Sequence, residues 1–77
     1  MEDLNKIRKR IDNIDNEILA LLIQRKKQIK EIKELKSTLN KPVKDLEREK
    51  NILKKAKEKY EKEIFSKILE ESRKLQE

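Results

Sequence analysis

The chain has no cysteine, histidine, glycine or tryptophan, and Pro42 is its only proline. Without cysteine there is no disulfide and no thiolate nucleophile or ligand. Without histidine, imidazole acid–base catalysis and the Ser-His-Asp triad are excluded, as are zinc sites built on histidine. Aromatics are limited to Tyr60 and Phe65. Both fall on apolar stripes and offer no platform for stacking nucleic-acid bases. With no glycine there are no Asn-Gly or Asp-Gly turns, and no alternating Val/Thr/Tyr runs occur, so strands are not expected. No apolar run approaches the ~20 residues needed to span a bilayer. The opening MEDLNKIRKR lacks the apolar core of a secretory signal. These absences predict a soluble, cytoplasmic protein with no membrane partner.

What remains is charge and aliphatic side chains. Of 77 residues, 49% are charged and 34% hydrophobic. A chain this short buries little apolar surface alone, so one small domain completed by a partner is expected. Lys, Glu, Ile and Leu dominate, which suits long helices in a bundle or coiled coil. The net charge of +6, from 22 bases and 16 acids, suits an anionic partner or serves only as a solubility coat. Acids are interleaved with the bases, which argues against a nucleic-acid-binding face.

Apolar residues recur at three- and four-residue spacing through Leu4, Ile7, Ile11, Ile14, Ile18 and Leu21 or Leu22, then Ile29, Ile32, Leu35 and Leu39. This predicts one helix over about residues 3–39. Such a helix is on the order of 54 Å long, too long for a compact monomer of this size. Asn40, Lys41 and Pro42 break the pattern, because proline disfavours a helical conformation in the residue before it. A second helix is expected over about 45–59, opened by the acids Asp45 and Glu47, with the stripe Leu46, Leu53, Ala56, Tyr60. A third is expected over about 62–76, carrying Ile64, Phe65, Ile68, Leu69 and Leu75. The stretch between them, KEKYEKE, has no Gly or Pro, so one continuous helix from 45 to 76 stays open.

The chemical signal lies where polar residues interrupt these stripes. Arg25 and Lys36 hold stripe positions eleven residues apart, which places them within about 20° on one helix face. Glu49 interrupts the second stripe. Ser72 and Gln76 end the third, after Phe65 and Leu69. Buried charge is costly unless it is paired or binds a ligand. A buried polar register device, or an Arg25–Glu49 salt bridge, would explain single residues. Three helices interrupted together point to a shared polar pocket, and two inward cations suit a dianion. Arg8 lies about 25 Å along the helix from Arg25. It can reach the same small ligand only from a second subunit, and otherwise reads as a surface base.

IRKRIDNIDNEILALLIQRKKQIKEIKELK, then KPVKDLEREK, then IFSKILEESRKLQ resemble the all-helical chorismate mutases across almost the whole chain. The specific parts are the R-x-x-I-D-x-I-D opening, the Arg25–Lys36 spacing, the P-V-x-D-x-x-R-E block and the E-E-S-x-x-L-Q ending. The resemblance implies an all-α fold: three-helix chains with a very long first helix, intertwined as a homodimeric bundle. It implies two shared sites that rearrange chorismate to prephenate in phenylalanine and tyrosine biosynthesis, with no cofactor and no metal. It also implies roles. Arg8 of the partner and Arg25 bind the two substrate carboxylates. Lys36 holds a carboxylate and the ether oxygen, and Gln76 donates to that oxygen. Glu49, with the Asp45 backbone, takes the ring hydroxyl, while Arg48 and Ser72 support carboxylate binding. The link between the second and third helices is about two turns shorter than the family pattern. An isochorismate pyruvate-lyase of the same fold and a non-catalytic coiled-coil module are the rival readings.

Overall fold

The computed structural model describes residues 3–39 and 45–77. The predicted break at Asn40, Lys41 and Pro42, and the stripe side chain of Leu39, lie outside the described residues. Three helices follow in order: α1 (Leu4–Leu39), α2 (Leu46–Lys55) and α3 (Lys59–Gln76). There is no strand among the described residues.

Each helix start has a local cause. The Asp3 carboxylate accepts a hydrogen bond from the Lys6 backbone N–H at 2.9 Å, satisfying one of the orphan donors of α1. Asp45 does the same for α2, accepting from the Arg48 N–H at 3.1 Å. Glu47 and Glu49 in the first turn of α2, and Lys54 and Lys55 in its last, match the helix dipole. At α3 the Glu61 carboxylate reaches back to the Glu58 N–H at 3.0 Å.

The link between α2 and α3 differs from the expected one. The second helix stops at Lys55 rather than about residue 59, and the third begins at Lys59 rather than about 62. A continuous helix is ruled out as well. Ala56 adopts extended backbone (φ −79°, ψ 119°), and its N–H bonds back to the Leu53 carbonyl at 3.2 Å. Ala56 is buried at this corner, where a small side chain fits between the two helices. The Glu58–Glu61 cap then restarts the chain. Tyr60, assigned to the second stripe by spacing alone, stands in the first turn of α3 and is 73% exposed.

Both α1 and α2 pack on α3. The buried apolar residues are Ile29, Ala56 and Leu69, joined by the polar Ser72 at 8% exposure. The N-terminal stripe of α1 has no such cover. Leu4, Ile7, Ile11, Ile14, Ile18 and Leu22 are each between 38% and 59% exposed. The molecule is therefore a 57 Å rod, thick at one end. No helix among the described residues is long and apolar enough to cross a membrane.

Candidate active site

Where the three helices meet, they line a cavity of about 140 Å³ that opens to solvent. Its floor is apolar, from Ile29, Ile52 and Leu69. Its polar wall takes Arg25 and Lys36 from α1, Asp45, Arg48 and Glu49 from the start of α2, and Ser72, Arg73 and Gln76 from α3. Seven of the eight residues named from sequence thus line one cavity. The eighth, Arg8, lies far up α1, is exposed, and does not line it.

Hydrogen bonds tie α1 to α3 across this wall. The Arg25 guanidinium donates to the Ser72 hydroxyl, which in turn donates to the Ile68 carbonyl at 2.6 Å. Lys36 Nζ donates to Gln76 Oε1 at 3.3 Å, and Gln76 Nε2 faces the Ser72 carbonyl at 3.4 Å. Lys33 reaches the Glu77 carbonyl at 2.8 Å and pins the end of α3. Arg25 and Lys36 of α1 thus each meet a polar side chain of α3.

Burial, and after it the nearby Arg48 guanidinium, push the pKa of Arg25 below its ordinary value. Arginine nevertheless keeps its proton in proteins. The shift thus marks a guanidinium whose charge is disfavoured by burial and by its neighbour. Around the cavity four cations (Arg25, Lys36, Arg48, Arg73) face two carboxylates (Asp45, Glu49). The formal excess of two positive charges matches a dianion.

One wall residue escaped the sequence reading. Glu49 pairs with Arg73 at 2.5 Å, not with Arg25. Arg73 follows Leu69 by four residues, so it satisfies helical spacing as well as Ser72 does. Taking the three-residue step to Ser72 passed over it, and nothing in the sequence connects it to Glu49 across the α2–α3 corner.

The family model for chorismate mutase type II matches residues 7–77. The chain belongs to the chorismate mutase type II family. Within that family it is 48% identical over 52 residues to a chorismate mutase of Methanocaldococcus jannaschii, covering 68% of this chain and 52% of that protein. It is 51% identical over 55 residues to a bifunctional chorismate mutase/prephenate dehydratase of Aquifex aeolicus, covering 71% of this chain and 15% of that protein. The chain thus spans about half of the first relative and a small part of the second. A solved structure of a conserved hypothetical protein from Pyrococcus furiosus superposes with a TM-score of 0.89 at 42% identity, covering 96% of this chain and 95% of that one.

Proposed function

We propose that this family member is itself a chorismate mutase, rearranging chorismate to prephenate for phenylalanine and tyrosine biosynthesis in the cytoplasm. The observation that carries the proposal is the cavity at the three-helix junction, with its excess of two positive charges and its inward carboxylate. Chorismate is a dianion with a ring hydroxyl, and the wall offers partners for each.

The rearrangement is pericyclic and needs no nucleophile or general base, which suits a chain without cysteine or histidine. Catalysis then consists of holding a flexible dianion in its folded, reactive conformer, together with cations placed where negative charge develops on the breaking C–O bond. In this proposal Arg25 binds one carboxylate, supported by Arg48 and Ser72. Lys36 contacts a carboxylate and the ether oxygen. Gln76, its carbonyl held by Lys36 and one amide hydrogen directed at the Ser72 carbonyl, offers its other amide hydrogen to the same oxygen. Glu49 accepts from the ring hydroxyl beside the Asp45 backbone.

The site as formed by one chain is small. Its 140 Å³ falls below the roughly 300–1,000 Å³ of typical small-molecule pockets. The proposal therefore includes a homodimer in which the uncovered apolar half of α1 packs against its counterpart, bringing Arg8 of one subunit over the cavity of the other. Exposed apolar stripes of this length mark interaction surfaces.

Purified protein incubated with chorismate should consume its absorbance and yield prephenate. Release of salicylate from isochorismate instead would assign the lyase reaction, and no turnover of either would defeat the enzymatic reading.

A further inference from the structure

Arg73 belongs to none of the roles assigned above, yet it occupies the cavity wall and touches a carboxylate given one of them. Its Nη1 meets Glu49 Oε1 at 2.5 Å, with both side chains partly buried. On α3 the neighbouring Ser72 takes the guanidinium of Arg25 from α1. Two successive residues of α3 thus set two opposite walls: Ser72 the cation of α1, Arg73 the carboxylate of α2.

A carboxylate facing a dianion poses a problem of charge. Glu49 unpaired would repel the ligand whose hydroxyl it is to accept, and its side chain would be free to rotate away. A partly buried charge-assisted bond to a planar guanidinium answers both difficulties. It cancels the negative charge locally and fixes the rotamer. Holding Oε1 also leaves acceptor capacity on the carboxylate, which has about four lone-pair sites.

We propose that Arg73 is a positioning residue that orients and neutralises Glu49, so that this carboxylate can accept the hydroxyl of a dianionic substrate without repelling it. The inference rests on the mutase reading of the same cavity. Arg73 acts through Glu49 and does not itself bind a substrate carboxylate.

The test is a double-mutant cycle on chorismate turnover, with Arg73→Met, Arg73→Lys, Glu49→Gln and the Arg73→Met/Glu49→Gln pair. Thermal melts followed by circular dichroism verify that each variant is folded at the assay temperature. Arg73→Met should lower kcat/KM by roughly tenfold, within the range of coupling for a contacting charged pair. Arg73→Lys, which keeps the charge, should recover part of the loss. In the neutral Glu49→Gln background, Arg73→Met should cost little more. An equal loss in both backgrounds would mean that Arg73 contacts substrate directly and would overturn the proposal, as would an Arg73→Met variant as active as wild type. If wild type fails to turn over chorismate, the mutase reading falls and takes this inference with it. A working wild type with additive mutations sinks this inference alone.

Discussion

The two halves of α1 carry the same apolar rhythm, but only one of them is packed by another helix at any stripe position. From Arg25 to Lys36 the helix lies against α3, Ile29 is only 6% exposed while Ile32 and Leu35 stay 37% and 59% exposed, and polar stripe positions find partners on the other helix. From Leu4 to Leu22 the stripe is just as regular, but nothing among the described residues covers it. Periodicity therefore reports that a face is meant to be buried, not what buries it. In the first case the partner is eighteen residues of the same chain. In the second, by the proposal above, it is another copy.

That contrast can be broken experimentally. Ile14→Glu puts a charge in the middle of the uncovered stripe, where burial against a partner would leave it unpaired. It should convert a dimer to monomer in analytical ultracentrifugation and abolish mutase activity. A fully active Ile14→Glu monomer would show that one chain suffices.

Lys36→Ala, in the covered half, should leave the oligomer intact and lower kcat by roughly 10²–10³, as loss of a preorganised donor does. Unchanged turnover would remove Lys36 from the chemistry. Ile29→Ala should destabilise the fold by about 2–5 kcal/mol, read from the denaturation midpoint, because Ile29 is packed between α1 and α3. Should Ile29→Ala prove no worse than Ile→Ala at an exposed position, the difference between the halves would be lost.

Smaller again, Asp45→Ala removes the α2 cap and should cost about 1 kcal/mol. Glu70→Gln is expected to do least. Its hydrogen bond and ion pair with Lys67 hold the Glu70 pKa below its ordinary value, but both side chains stay largely open to solvent, which screens the pair. A depressed carboxylate pKa stabilises above the unfolded pKa and is lost as pH falls through the folded one. Any difference between Glu70→Gln and wild type in thermal melts should therefore vanish on acidification.

How far the sequence could be read follows from how local each cause is. The length of α1 is legible because every stripe residue lies three or four positions from the next. Arg25 and Lys36 are legible as a pair because eleven residues bring them back to one face of one helix. The end of α2 is not legible in the same way. Ala56 and Tyr60 continue the spacing, and only the corner that buries Ala56 ends the helix.

The all-helical architecture, the inward-pointing polar residues and the need of α1 for cover all follow from periodicity and composition, because helix formation and face polarity act within a few residues. Tertiary structure alone decided that the chain turns at Ala56 and that Glu49 takes Arg73 as its partner. These two residues are 24 positions apart on different helices. Which cation reaches a carboxylate at that separation depends on how the helices pack against each other, and spacing along the chain carries no record of it.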